Sequence, residues 1–150
     1  MASPVYEAFG KHVGSILDGA LSIHHANLKP QPPSASASSF PAPVTELVTF
    51  YFPSSTSSSD KTDFDNAVSK FSKVPQQHAD GFRGFCGGWI VEEVEHASVG
   101  KGCGYVAAVG WDSVDAHMAF RETKEFKEAI VDLRGRAKGS VMYHVKFQEN

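Results

Sequence analysis

The sequence predicts an α+β fold in which an antiparallel sheet carries helices on one of its faces. Two stretches, Thr45 to Phe52 and Ser140 to Phe147, alternate strictly between their two sides, as half-buried strands do. The region from Gly102 to Gln148 has the pattern strand, helix, helix, strand. A helix and a hairpin strand between these regions complete the order β-α-β-β-α-β.

A helix and a short strand precede this unit. Ser3 as N-cap and Pro4 at the first helical position open the helix, and Asp18-Gly19 ends it. Shifted by 120 positions, the segment matches the C-terminal helix and strand, with Gly19 on Gly139 and His24 on His144. We interpret residues 1–28 as a degenerate half repeat that forms a helix-strand appendage. Chance similarity between two amphipathic helix-strand pairs is the alternative.

Residues 29–43 separate this appendage from the main domain, residues 44–150. Five prolines stand there among Ser and Ala, so we expect an extended, polyproline-like linker. Such a linker could carry the appendage across a sheet edge or onto a partner subunit.

The first strand of the main domain leads through a Ser-rich loop, Ser54 to Asp60, which we expect to be mobile. Thr62 and Asp65 have the spacing of a capping box and predict a helix that stops before Pro75. Its inward face would carry Phe64, Val68 and Phe71. Gln76 to Gly81 is predicted to be a polar connection.

The hairpin follows, with strands over Gly84 to Glu95 and Cys103 to Trp111. Gly87-Gly88 lies inside the first of these strands, where glycine often marks a bulge or the close approach of another group. Asp112 is the predicted N-cap of the next helix, and Gly139 is the predicted stop before the last strand. The complete order predicts a ferredoxin-like sheet.

Composition limits the classes of function. The chain has 150 residues, 41% hydrophobic and 21% charged, which suits one globular domain. A net charge of -3 excludes a basic footprint, so we expect no nucleic-acid partner. Eleven phenylalanines indicate either a thick aromatic core or an aromatic-lined pocket.

Location is predicted from what the sequence lacks. No secretory signal pattern and no apolar run of membrane-spanning length occur, so we expect a cytoplasmic protein without a membrane partner. Cys86 and Cys103 are then expected to be reduced thiols.

A family resemblance rests on the motif W-D-S-V-D-A-H-x-x-F-R-E-T-K-E-F-K-E-A-I, followed by a strand that ends V-M-Y-H-V-K-F. Over residues 45–148 this pattern resembles the dimeric α+β barrel superfamily, which includes antibiotic-biosynthesis monooxygenases, stress-responsive A/B-barrel proteins and polyketide cyclases. The resemblance implies a pocket between the sheet and its own helices. Because helices cover only one face of such a sheet, we also expect a second copy on the other face, giving a homodimer.

The predicted catalytic side chains are Glu46, His117 and Tyr105. The substrate-binding side chains, projected by alternation and helical spacing, are Val48, Phe50, Trp89, Phe120 and Phe126. A Glu46/His117 pair could act as general base and acid on a substrate with acidic C–H bonds. The alternative is that Glu46 is a solvated strand-end carboxylate and His117 a helix-surface residue.

Other chemistries have weaker support in the sequence. His24 and His144 could converge, but no Cys or carboxylate is spaced with them, so we expect no metal. Haem-degrading members of the superfamily place the ligating His where this chain has Ile130. Plant polyketide cyclases place a Tyr and a His where it has Phe120 and Phe126, and a first-strand His where it has Glu46.

The leading hypothesis is a cofactor-independent enzyme for a hydrophobic, aromatic or polyketide-like small molecule. Cyclisation, a lyase or dehydration step, and monooxygenation are all compatible with the sequence. The alternative is a non-catalytic ligand-binding or stress-responsive barrel, and a haem protein is a third, more distant option.

Overall fold

The computed structural model describes residues 4–16, 22–31 and 42–147. Predictions for Ser3, Asp18-Gly19 and most of the linker lie outside these residues. The helices are α1 (Pro4–Ile16), α2 (Ser58–Phe71), α3 (Lys73–His78), α4 (Val114–Arg121) and α5 (Lys124–Arg136). The strands are β1 (Lys29–Pro30), β2 (Val44–Pro53), β3 (Phe82–Trp89), β4 (Val94–His96), β5 (Gly100–Trp111) and β6 (Gly139–Val145).

The strands form one antiparallel sheet in the order β1-β3-β5-β2-β6, with β4 paired to β5. Strand β2 is therefore central, between β5 and β6, although it comes first in the main domain. This is the ferredoxin-like arrangement, so the predicted α+β fold and the order β-α-β-β-α-β are confirmed.

The core lies between the sheet and its helices and is largely aromatic. Phe64 of α2 is 1% exposed, and its ring packs edge-on against Phe50 and Phe52, with centroids 5.4 and 4.8 Å away. Edge-to-face packing of this kind adds to the burial of apolar area. The predicted inward faces of β2 and α2 are thus confirmed, and much of the phenylalanine content serves the core.

The loop that we expected to be mobile contains the start of α2. Ser57 is the N-cap: its hydroxyl accepts a hydrogen bond from Asp60 N, and the Asp60 carboxylate accepts one from Ser57 N. The predicted capping box at Thr62 and Asp65 is therefore wrong. Ser57 and Asp60 have the same spacing five residues earlier, and only there are the backbone N–H groups without helical partners.

The N-cap of α4 is also displaced from the predicted position, here by one residue. Ser113 is the N-cap and accepts a hydrogen bond from Ala116 N, so the prediction of Asp112 is wrong. Asp112 instead forms an ion pair of 2.5 Å with Arg83 of β3. The carboxylate thus ties the start of α4 to the sheet.

Two connections differ from the prediction. Helix α3 passes through Pro75, which the first turn of a helix tolerates because its N–H would have no partner there. It replaces much of the predicted polar connection. The predicted strand from Gly84 to Glu95 divides into β3 and β4, and a register shift interrupts β3 between Phe82 and Gly84.

The N-terminal segment lies along the outer edge of β3. Lys29 and Pro30, which we assigned to the linker, pair with Gly87 and Cys86. A Cβ on Gly88 would clash with the Asn27 carbonyl oxygen. The predicted close approach at Gly87-Gly88 is therefore confirmed, and the group that approaches is the chain's own backbone.

The opposite face of the sheet is only partly covered. Leu47, Thr49 and Tyr51 are half-buried, and Tyr143 is 65% exposed. The His96 ring stacks on Tyr51 with centroids 4.1 Å apart, so the β4–β5 turn covers one part of this face. No helix within the described residues is long and apolar enough to cross a membrane.

Candidate functional site

A cavity of about 190 Å³ lies between the sheet and the helices. Its apolar walls come from β2, α2, α3, β3, β5, α4, α5 and β6: Val48, Phe50, Val68, Phe71, Pro75, Phe85, Val109, Phe120, Phe126, Ile130, Leu133 and Met142. Its polar side chains are Glu46, Trp111, His117, Arg121, Arg134 and Ser140. An apolar hollow with a few polar groups is typical of a small-molecule site.

Glu46 lies at one end of this cavity, where ring nitrogens of two other side chains approach its carboxylate. Its Oε2 accepts a hydrogen bond from Trp111 Nε1 at 3.3 Å, and His117 Nε2 lies 3.4 Å from the same oxygen. Alternation along β2 turns Glu46 toward the helices, whereas α4 brings His117 over it. The sequence-predicted pair is thus brought together.

Burial sets the protonation of Glu46. It raises the pKa of this carboxyl from 4.5 to about 7, although the Trp111 N–H and the positive charge of Arg121 both act to lower that pKa. At neutral pH the group can therefore both take up and release a proton, which is what general acid–base catalysis requires.

His117 is a neutral imidazole at this pH. Burial, His144 and Arg121, in that order, lower its pKa to about 4. Its side chain is 3% exposed and its ring stacks on Trp111, with centroids 4.9 Å apart. It is therefore a packed and oriented hydrogen-bonding group, not the surface residue of the alternative interpretation.

His144 extends the polar group by one further ring. Its Nε2 lies 2.8 Å from His117 Nδ1, and it pairs with Glu46 in the register of β6 on β2. If His144 donates through Nε2, His117 accepts at Nδ1 and presents its Nε2–H to Glu46. This tautomer lets all three side chains satisfy one another.

The predicted substrate-binding residues fall into two groups. Val48, Phe50, Phe120 and Phe126 line the cavity with Glu46 and His117. Trp89 and Tyr105, which we assigned to the same pocket, do not line it.

Tyr105 and Trp89 instead border a second cavity of about 420 Å³, between the N-terminal edge segment and α2. Tyr105 is fully buried and its hydroxyl lacks a hydrogen-bond partner among the described residues. The Trp89 indole donates to Asp65 Oδ1 at 3.0 Å. Alternation along a strand could not distinguish the two cavities, because both lie on the face of the sheet that packs against the helices.

Two residues that form hydrogen bonds with the Glu46–His117 pair, Trp111 and His144, were not predicted to do so. Trp111 was the end of a strand, and His144 was a candidate metal ligand. The signal for His144 was present, because alternation placed Met142 and His144 on one face of β6. In the described residues no group of three His, Cys, Asp or Glu side chains is arranged to hold a metal ion.

Comparison with known proteins supports the fold. No family model matches the chain, and no curated protein matches it. Solved structures do match. A proposed antibiotic biosynthesis monooxygenase from Bordetella bronchiseptica is 18% identical, with a TM-score of 0.51, over 71% of this chain and 97% of that one.

Two further structures are similar. An Arabidopsis thaliana protein is 12% identical, with a TM-score of 0.52, over 72% of this chain and 98% of that one. A proposed monooxygenase from Lactobacillus acidophilus is 16% identical, with a TM-score of 0.51, over 95% of this chain and 60% of that one. At 12–18% identity these structures show that the chain shares their fold, and they show the fold alone.

Proposed function

We propose that this protein is an enzyme that moves a proton on a hydrophobic, aromatic or polyketide-like small molecule. The observation that carries the proposal is the Glu46 carboxyl, held at the end of an apolar cavity with a pKa of about 7. Similar structures described as proposed monooxygenases lend support to small-molecule chemistry, not to one reaction. Cyclisation, dehydration and oxygenation could each begin with such a proton transfer.

Glu46 is the catalytic base in this proposal. Its carboxylate removes a proton from an acidic C–H bond of the substrate, and the electron pair moves into the substrate's own carbonyl or ring system. The protonated Glu46 then returns the proton at a later step. No cofactor is needed for this half-reaction, because the substrate itself delocalises the charge.

His117 acts through a neutral N–H in this proposal. With a pKa of about 4 it carries no proton to release as an imidazolium at neutral pH, so the acid role that we assigned to it passes to Glu46. The Nε2–H orients the Glu46 carboxylate or donates to a substrate oxygen. In this proposal His144 donates to His117 Nδ1, 2.8 Å away, and so fixes the tautomer that carries the Nε2–H.

The test uses 5-nitrobenzisoxazole, an aromatic probe with one acidic C–H bond. A base removes that proton, the N–O bond breaks, and a coloured cyanophenolate forms without any co-reactant. We expect saturable turnover that rises with pH through a midpoint near 7, because Glu46 must be ionised. Glu46→Gln should lower the rate by about 10²-fold or more.

Glu122→Gln is the control for that measurement. Glu122 is an exposed carboxylate hydrogen-bonded to Lys127, and its loss should leave the rate unchanged. Equal rates for wild type and Glu46→Gln would refute the enzyme proposal. Saturable binding of the probe without turnover would favour the ligand-binding class.

The proposal includes a homodimer formed through the free face of the sheet. Half-buried Leu47 and Tyr51 and the exposed Tyr143 lie there, and a second copy would remove them from water. Sedimentation analysis should give twice the chain mass, and Leu47→Glu should give the monomer mass. A wild-type protein that sediments as a monomer at high concentration would refute the dimer.

A further inference from the structure

The cavity is polar at both of its ends. Glu46 and Phe50 lie four positions apart on β2, about 13 Å at 3.3 Å per residue. Phe126 and Arg134 lie eight positions apart on α5, about 12 Å at 1.5 Å per residue. Both elements line the cavity over these spans, so its long axis runs from Glu46 to the start of β6.

Arg134 and Ser140 stand at the end remote from Glu46. Ser140 pairs with Phe50 in the register of β6 on β2, and Arg134 lies in the last turns of α5, just before β6. Both are exposed, so this end opens to solvent. Arg121 belongs to the other end, because its charge acts on Glu46 and His117.

Arg134 occupies a position where an apolar residue would be expected. Phe126, Ile130, Leu133 and Arg134 all line the cavity, with the spacing i, i+4, i+7, i+8 of one helical face. Because Arg134 continues this cavity-lining face and is itself exposed, its guanidinium lies at the mouth of the cavity. Its aliphatic stem can cover the apolar wall while the charged end reaches water or a ligand.

The arginines differ in their partners. Arg83 and Arg136 form ion pairs with Asp112 and Asp132, away from this cavity. Arg121 and Arg134 line the cavity, and within the described part of the chain neither has a carboxylate at ion-pair distance. Among the residues that the structure describes, the cavity therefore has two unpaired cations and a single carboxyl, that of Glu46.

We propose that the ligand of this cavity is an elongated hydrophobic molecule that bears an anionic group, and that Arg134, with Ser140, binds this group at the mouth. This inference rests on the proposed function for the identity of the reacting end, which would lie at Glu46. A guanidinium matches a carboxylate in a bidentate geometry, so a carboxylic acid is the class of ligand that fits best. Arg134 is then a specificity-determining residue that touches no reacting atom.

The test compares two rigid probes of one shape, biphenyl-4-carboxylate and the neutral biphenyl-4-carboxamide, by calorimetric titration. Wild type should prefer the carboxylate by about three- to tenfold, as expected for a partly solvated charged pair. Arg134→Ala should abolish this preference by weakening carboxylate binding alone. Arg134→Gln serves as a second variant, and circular dichroism checks that each is folded.

Arg136→Ala is the matched control, because Arg136 lies two residues further on the same helix and pairs with Asp132. It should keep the preference. Equal effects of Arg134→Ala and Arg136→Ala, equal weakening of both probes, or no binding of either probe to wild type would overturn the proposal. Loss of the preference in Arg121→Ala instead would overturn the assignment of the anion to the mouth.

The outcome is separable from that of the proposed function. The binding assay requires no proton transfer, so it reports on the anion site independently of turnover. Probe discrimination without turnover of 5-nitrobenzisoxazole would contradict only the enzyme proposal. Turnover without probe discrimination would contradict only the anion site.

Discussion

Two tryptophans end neighbouring strands of this sheet, and each donates its indole N–H to a carboxylate. Trp111 of β5 donates to Glu46, and Trp89 of β3 donates to Asp65. In both cases burial raises the pKa of the carboxyl and the indole hydrogen bond lowers it. The same local chemistry therefore occurs twice, on opposite sides of the aromatic core.

The surroundings of the two carboxyls differ. Asp65 lies near Lys29, whose charge also lowers its pKa, and the Lys61 ammonium sits 5.1 Å from the Trp89 ring centroid. For Glu46 the corresponding charge is that of Arg121, but His117 also lies 3.4 Å from its carboxylate, and His144 is hydrogen-bonded to that imidazole. An indole–carboxylate hydrogen bond alone therefore does not identify a candidate active site. Glu46 differs from Asp65 in its apolar cavity and in the two histidines near it.

The largest expected difference between the two sites is in catalysis. Asp65→Asn and Glu46→Gln are matched substitutions, since each replaces an indole-bonded carboxylate by its amide. With 5-nitrobenzisoxazole at pH 8, Glu46→Gln should lose about 10²-fold in rate or more, and Asp65→Asn should stay within about twofold. Equal losses would mean that the second cavity contributes to turnover and that the contrast between the sites is wrong.

The next difference is in the pH dependence of stability. The folded pKa of Glu46, about 7, lies above its unfolded value of 4.5, so its contribution is complete below pH 4.5 and is lost as the pH rises through 7. Glu46→Gln has no carboxyl to ionise, so its free energy of unfolding should not fall in this way as the pH rises. Relative to wild type, its free energy of unfolding should rise by up to about 3 kcal/mol between pH 4 and pH 8.

That experiment must compare Glu46→Gln with wild type at each pH, because the titration of His117 changes the free energy of unfolding in the opposite direction. Its folded pKa, about 4, lies below the usual 6.5, so its contribution is present above pH 6.5 and is lost as the pH falls through 4. Urea unfolding of wild type and Glu46→Gln at each pH isolates the carboxyl. A difference that does not change with pH would contradict the buried, protonatable Glu46.

A smaller effect is expected from the indole donors themselves. Trp111→Phe removes a hydrogen bond that favours the ionised Glu46, so the midpoint of the pH–rate profile should move upward by about half a unit to one unit. Trp89→Phe should leave the midpoint in place. A downward shift in Trp111→Phe would mean that lost packing opens the cavity to water and outweighs the lost donor.

The sequence predicted the fold well, because the signals of β2 and β6 are local. Strict alternation there determines which side chains face the helices, and it placed Glu46 and Phe50 on the cavity side correctly. Element starts were less accurate. Ser57 and Ser113 compete with nearby residues of equal capping ability, and only the position of the free backbone N–H groups decides between them.

The membership of the site was harder to predict than its existence. Tyr105 and Trp89 are aromatic and lie on the neighbouring strands β5 and β3, as a cavity wall requires, yet they face the second cavity. Long-range packing around Phe64 decides this, and it has no local pattern. The Glu46–His144 pairing likewise depends on the register of β6 on β2, which brings together residues nearly 100 positions apart.

The smallest effect tests the charges around the two carboxyls. Arg121→Ala removes a positive charge that lowers the pKa of Glu46, so the midpoint of the pH–rate profile should rise by about 0.3–0.5 unit. This shift is smaller than that expected for Trp111→Phe, because a charge that acts without direct contact is screened. Lys29→Ala removes the corresponding charge near Asp65 and should leave that midpoint unchanged. If Lys29→Ala also shifted it, the two sites would be electrostatically coupled through the core, and their independence would have to be abandoned.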